Sequence, residues 1–324
     1  MAESRNLYRS YAEHLQEKYG EKIYKLPVNL PGTCPNRDGT VGYGGCIFCD
    51  EAGAGFECLP NTLSISRQIA QNKEFFKKRF NAKKFIAYFQ AFTNTYLGLE
   101  DFKANMLTAS QEEDLVGISI STRPDCINED YLAVLSDLQK ERPLDINIEL
   151  GLQTVNYRTL KKINRGHTLA EFVDAVLRIK KYGFPICVHL ILNLPWDDEF
   201  DVIENAKLLS ALEIEYVKLH SLYIVKDTVL GRMYAQGEFT IISLEEYVER
   251  VILFLEYLSP EIVIQRLVGK GPQGNMYFCN WDTSWWKIKA LIEEEMREMG
   301  SFQGKKFNYL NGSALRNTVL AKRI

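Results

Sequence analysis

Blocks of apolar and polar positions alternate along the chain. Short runs rich in β-branched and aromatic residues predict strands at Ile23–Leu30, Lys84–Phe89, Leu115–Ser121, Asp145–Leu152, Ile186–Leu192 and Tyr216–Leu222. Between them, apolar positions at helical spacing predict helices over Asn61–Phe80, Leu99–Ala109, Ile127–Glu141, Leu169–Tyr182 and Glu199–Leu212. A helix between each pair of strands implies a parallel sheet with right-handed crossovers. Six units fall short of a closed eight-fold barrel. The expectation is therefore an α/β fold built as an open, partial (β/α)6 barrel, with a doubly wound sheet as the alternative. Residues 1–20 read as an amphipathic helix with Leu7, Tyr8, Tyr11 and Leu15 on one side and Gly20 as its stop, covering the first strand. From residue 226 the pattern changes to helices at Leu230–Gly237, Leu244–Leu258 and Lys287–Met299, with a strand candidate at Glu261–Leu267. The expected division is a helix at 1–20, a core barrel at 21–225 and an accessory region at 226–324 that closes the open side.

In such sheets the chemistry sits at the C-terminal ends of the strands. The segments there are Gln90–Tyr96, Ser121–Asp125, Gln153–Thr154 with Asn164–Thr168, and Asn193–Trp196. They are polar, whereas the strands read as apolar. After the first strand come three cysteines, Cys34, Cys46 and Cys49, spaced C-x11-C-x2-C, with Gly39, Gly42, Gly44 and Gly45 loosening the loop between them. Three thiolates are one short of a closed four-cysteine site. An iron–sulfur cluster with one open iron fits that shortfall. A catalytic zinc site and unrelated buried thiols are the alternatives.

Composition narrows the class. Apolar content of 46% and charged content of 25% suit a globular chain with a sizeable core, and the net charge of −3 excludes an overall basic nucleic-acid binder. The N-terminus lacks the apolar core of a signal peptide, and no run reaches the ~18 apolar residues of a membrane span. Seven cysteines, three of them clustered, point to metal binding in a reducing, cytoplasmic setting. Cys58, Cys126, Cys187 and Cys279 are too scattered for a second site.

The cysteine loop, Ser121-Thr-Arg-Pro-Asp125, Glu149-Leu-Gly-Leu-Gln153 and Asn164-Arg-Gly-His-Thr168 together resemble the radical S-adenosylmethionine (SAM) superfamily. The resemblance spans roughly residues 20–270. It is closest to the branch with the elongator catalytic subunit and the oxygen-independent coproporphyrinogen oxidase, and within it to a compact bacterial family. It implies a partial TIM-like radical SAM barrel with a C-terminal α/β accessory region. It also implies a [4Fe-4S] cluster on Cys34, Cys46 and Cys49, SAM as cofactor, and cleavage of SAM to a 5′-deoxyadenosyl radical. The superfamily's usual first cysteine gap is three residues; the widened gap here resembles the elongator branch. Phe48 takes the place of an aromatic beside the adenine. Gln153 and Arg165, twelve residues apart, match the pair that reaches the SAM ribose and carboxylate. Gln90 and Thr93 stand where the family has a glycine-rich turn for the SAM amino group. Ser121 replaces a frequent glutamate, and His189 occupies an acidic fifth-strand position. The resemblance further implies tRNA as substrate, through the C5 side chain of the wobble uridine, and an electron donor such as flavodoxin or ferredoxin. The length leaves no room for an acetyltransferase domain like the elongator's. The basic tail with Lys305, Lys306, Arg316, Lys322 and Arg323, interleaved with Phe302, Phe307 and Tyr309, fits phosphate contacts and base stacking, with a solvated helix end as the alternative. A radical SAM enzyme on a small metabolite or tetrapyrrole and a zinc-binding scaffold without radical chemistry are the competing functions.

Overall fold

A computed structural model describes residues 6–51, 53, 55–272 and 274–315. In chain order the elements are α1 (Tyr11–Tyr19), β1 (Ile23–Val28), α2 (Ile65–Phe80), β2 (Lys84–Phe89), α3 (Leu99–Ser110), β3 (Leu115–Thr122), α4 (Glu129–Glu141), β4 (Asp145–Gln153) and α5 (Tyr157–Lys162). Then follow α6 (Leu169–Lys181), β5 (Ile186–Ile191), α7 (Glu199–Ala211), β6 (Tyr216–His220), β7 (Ile224–Val225), α8 (Val229–Ala235), α9 (Leu244–Tyr257), β8 (Val263–Arg266), β9 (Met276–Phe278) and α10 (Trp285–Glu298).

The main sheet has the order β1-β2-β3-β4-β5-β6-β8, and every neighbouring pair is parallel. The six β/α units read from the sequence are all present, and β8 adds a seventh strand to the same sheet. The monotonic order of β1 to β6 is that of a curled partial barrel and rules out the doubly wound alternative, whose strand order reverses part-way. Three short elements escaped the sequence reading: the helix α5 and the antiparallel strands β7 and β9.

Local chemistry sets the helix boundaries. Ser64 accepts from the Arg67 amide to start α2, and Asn81 ends it in the left-handed region. Thr168 with Glu171, and Asp198 with Asp201, form capping boxes that start α6 and α7 close to the strand ends.

The strands are not apolar throughout, as the sequence reading had them. Leu26, Phe89, Ile120, Leu150, Val188 and Leu219 face outward into the core beneath the helices. Lys25, Tyr88, Ser121, Glu149, His189 and Lys218 face inward and line a cavity of about 970 Å³. A two-residue period puts one face in oil and the other on a polar lumen. Helix α1 does more than cover β1. It packs against both β1 and β8, and Ser10 pairs with Ile264, so it lies between the two edges of the curled sheet. The Lys25 ammonium also reaches across to the Gln265 side chain at 3.1 Å. The region beyond residue 225 shares the main core through Tyr247, Val251 and Phe254 of α9 and Ile288 and Ile292 of α10. Among the described residues no helix is long and apolar enough to cross a membrane.

Candidate active site

Residues 35–45 fold back on themselves directly after Cys34. The Val41 and Gly42 amides donate to Pro35 oxygen, and the Gly45 amide to Asn36 oxygen. Gly44 and Gly45 hold positive φ, which this turn demands of them. Asn164 clasps the loop from the strand-end side. Its side chain donates to Gly45 oxygen at 2.8 Å, while Asn36 donates to Asn164 oxygen. Neither Asn164 nor Arg165 caps a helix; both brace the cysteine loop.

Of the seven cysteines, only Cys34, Cys46 and Cys49 line the cavity. Each sulfur is met by a different guanidinium. Arg165 Nη1 lies 3.5 Å from Cys46, Arg37 Nη1 lies 3.7 Å from Cys49, and Arg123 Nη1 lies 3.9 Å from Cys34. Arg123 is fixed by a two-point pair with Asp125 at 2.8 and 2.7 Å and by its bond to Arg165 oxygen. The Asn36 amide adds a donor to Cys46 at 3.8 Å. Burial, and then the neighbouring Cys46, push the Cys49 thiol up to about 12, so a bound metal must draw off the proton.

Donors aimed at three sulfurs suit anionic thiolates on a cluster. Among the described residues, the one set of three His, Cys, Asp or Glu ligand atoms within 4.8 Å of one another is Glu149, Cys187 and His189. Cys34, Cys46 and Cys49 do not form such a set. Glu149, Cys187 and His189 are not a cation site either, because Lys25 and Lys218 already hold the Glu149 carboxylate.

On the other side of the cavity, β4 is irregular between Gly151 and Gln153, and Gln153 holds φ +78. Arg165 returns to this point: Nη2 donates to Gly151 oxygen at 2.6 Å and Nε at 3.2 Å. Arg165 Nε also lies 3.0 Å from His167 Nε2. Burial, followed by Arg165 and Arg123, lowers His167 to about 3, so it is neutral and accepts there, with its Nδ1–H facing Thr168 oxygen. Gln153 and Arg165 thus converge on Gly151. Gln90 and Ser121 line the same cavity, and Ser121 donates to the Tyr88 hydroxyl at 3.0 Å. Thr93 also lines it, although almost fully buried. Phe48 faces the cavity while packing on the apolar group of Ile47, Leu222 and Leu230.

Residues 29–209 match the radical SAM superfamily, and residues 214–298 match the radical SAM C-terminal domain. The chain belongs to the radical SAM superfamily. It is 37% identical to "Uncharacterized protein YtqA" of Bacillus subtilis over 303 residues, covering 94% of each. The "tRNA uridine(34) acetyltransferase" of Methanocaldococcus jannaschii is 27% identical over 168 residues, 50% of this chain and 29% of that protein. Among solved structures, Elp3 of Methanocaldococcus infernus superposes with a TM-score of 0.66 at 18% identity, covering 87% of this chain and 64% of that one. This radical SAM protein is an enzyme that uses a [4Fe-4S] cluster and SAM, as its superfamily does.

The lumen beneath holds a chain of hydrogen bonds. Arg266 Nη2 donates to His220 Nδ1 at 2.6 Å, and His220 Nε2 faces His189 Nδ1 at 3.2 Å. His189 Nε2 then donates to Glu149 at 2.7 Å. Burial is the largest cause that holds both imidazoles neutral, His189 at about 4 and His220 well below its usual value. His189 therefore serves Glu149. The sequence reading overlooked Arg37, Asn36, Lys25, Glu149, Lys218, His220 and Arg266. A polar residue at every second position of a strand, as in Lys218-Leu-His220 and Glu149-Leu-Gly-Leu-Gln153, was the available signal.

The other cysteines lie elsewhere. Cys187 is buried beside Glu149, and Cys126 touches Asp125 at 3.7 Å. Cys279 presses on Gly271, while burial raises Cys58 to about 12.

Proposed function

We propose that this radical SAM enzyme modifies the C5 side chain of the wobble uridine in tRNA. The observation that carries the substrate is the similarity over half the chain to a protein named as a tRNA uridine(34) acetyltransferase. The Elp3-like fold is consistent with it. When bound, the cluster and SAM supply reductive cleavage of a sulfonium–carbon bond and, from it, hydrogen abstraction from a substrate C–H. In this reading Cys34, Cys46 and Cys49 hold the cluster. Gln153 and Arg165 orient SAM, with Arg165 suited to a carboxylate by its planar fork. Phe48, Gln90, Thr93 and Ser121 complete the wall around it. A cavity of about 970 Å³ lies at the upper end of the range for small-molecule sites, which supports room for more than one cofactor. Walls from seven strands keep bulk water from the reacting carbon.

Lys305 and Lys306 pair with Glu256, and the Tyr309 hydroxyl bonds Tyr257 oxygen, so this segment is held against α9. Arg316, Lys322 and Arg323 lie outside the described residues.

Comparison of modified nucleosides in tRNA from a deletion strain and its parent tests the reading. Loss or truncation of one wobble-uridine nucleoside is expected. An unchanged profile ends the tRNA assignment and leaves a small-molecule substrate.

A further inference from the structure

The lumen carries more positive charge than its own residues neutralise. Lys25, Lys218 and Arg266 all line it, and among the described residues the only carboxylate paired with any of them is Glu149. Among the described residues Arg266 has no carboxylate partner; its guanidinium meets Leu219 oxygen at 3.3 Å and a neutral His220. His189 and His220 add no positive charge, since each is neutral with both nitrogens engaged. Glu57, also on the wall, is matched by Lys270. Three cations against one carboxylate leave two unmatched inside a partly closed cavity, where an uncompensated charge is costly. Lys218 shows the strain: burial first, then Arg266 and Lys25, pull its ammonium down to about 8 against the support of Glu149.

One more donor is unused. The Gln265 carboxamide accepts from Lys25 at 3.1 Å, yet its Nε2 is buried without a partner. Gln265 and Arg266 are adjacent, and both face the lumen.

The site is built from other strands than the point where Arg165 docks. Lys218 pairs in register with His189 and with Arg266, and His189 with Gly151, so Lys218 and Arg266 stand at the level of Gly151 but two and three strands along the sheet from it. Glu149 lies two residues, or ~6.6 Å, further down β4.

We propose that this side of the lumen, on β1, β6 and β8, binds an anionic group of the substrate, a carboxylate or a phosphoryl, between Lys218 and Arg266, with Lys25 and the Gln265 amide as further donors. A guanidinium beside an ammonium offers the fork and the point charge that such a group takes up. This rests on the lumen being the substrate site of the radical SAM reaction, and not on the substrate being tRNA. For a nucleic acid the anion would be a backbone phosphate or an acidic substituent on the base; for a metabolite, a carboxylate or phosphate ester.

The test uses the reconstituted holoprotein with SAM. Unfolding is followed in inorganic phosphate and in malonate against chloride at equal ionic strength. An anion at ten times its dissociation constant multiplies the folding equilibrium constant about elevenfold. At least one of the two is expected to stabilise the protein, and the stronger identifies the group. Arg266→Gln should abolish the effect, and Arg266→Lys should retain part of it. Circular dichroism of both variants in chloride establishes that they are folded. If Arg266→Gln does not fold, the Lys variant alone decides: an effect as large as in the wild type overturns the proposal. No stabilisation beyond chloride, or full stabilisation in folded Arg266→Gln, also overturns it. No RNA enters this measurement, so an unchanged nucleoside profile sinks the tRNA assignment without touching the anion site.

Discussion

Arg165 joins two walls of the cavity: one terminal nitrogen donates to Gly151 oxygen at 2.6 Å, and the other faces the Cys46 sulfur at 3.5 Å. The contact depends on a missing side chain, because a Cβ at Gly151 would lie 2.6 Å from Arg165 Nη2 and 3.0 Å from Gln153 Nε2. Gly151→Ala should displace both groups. SAM binding by equilibrium dialysis should weaken at least about tenfold, ~1.4 kcal/mol, with iron content unchanged. Unaltered affinity would remove Arg165 and Gln153 from the SAM site.

Cys34, Cys46 and Cys49 are the cysteines that face the cavity. After anaerobic reconstitution the protein should hold about four irons per chain. Alanine at any one of the three positions should deplete iron and bleach the brown colour, while Cys58→Ala and Cys279→Ala should retain both. Full iron loading in a Cys34, Cys46 or Cys49 variant, or stoichiometric zinc in the wild type, contradicts the assignment.

Glu149 is the shared acceptor of Lys25, Lys218 and His189. Its carboxyl stays well below the usual range because Lys218 and Lys25 outweigh its burial. Glu149→Gln keeps the size but strands two buried ammoniums, a change that costs about 3–5 kcal/mol. Urea unfolding at pH 7 measures it; a loss below about 1 kcal/mol would show that the lumen relaxes or admits water.

His167, His189 and His220 are all held neutral, with folded pKa values below 6.5. As pH falls from about 6.5 towards 4, the unfolded chain binds protons that the native one refuses. Stability then declines, by up to ~1.4 kcal/mol per pH unit for each imidazole. Asp125 and Glu149, both lowered, extend the loss below the unfolded carboxyl range. Unfolding midpoints at a series of pH values should show a markedly shallower decline between about pH 6.5 and 5 in a triple variant with the three histidines replaced by Gln, provided it folds, with only the contribution of His14, also lowered by burial, left there; a flat wild-type profile refutes the neutral assignment.

Strand and helix order was legible because each element has its own period and its own punctuation. Lys84–Phe89 is placed to the residue, and most helices are displaced by a few positions at their caps, but the first, expected over residues 1–20, begins only at Tyr11 and leaves Leu7 and Tyr8 outside it. Helix α5 was missed because six residues carry less than two turns of amphipathic signal. That Cys34, Cys46 and Cys49 share one cavity was legible from their clustering together with the polar strand-end segments that follow. The lumen network was not, because Lys25, Lys218 and Arg266 are far apart in sequence and meet only once the sheet curls and brings its edge strand β1 across from β6 and β8. Arg37 was hidden for another reason: its contact with Cys49 follows from the fold of residues 35–45, which a stretched cysteine gap conceals.

The position of α1 between β1 and β8 has a practical consequence. A truncation that starts the chain at the first strand would remove the stave joining two otherwise unpaired margins. Such a protein would present raw strand edges to its neighbours and let solvent into the partly closed chamber from the side as well. Tags and fusions are therefore safer placed with Tyr11–Tyr19 left intact, and aggregation on trimming that helix would be a symptom of an opened seam, not of a failed core.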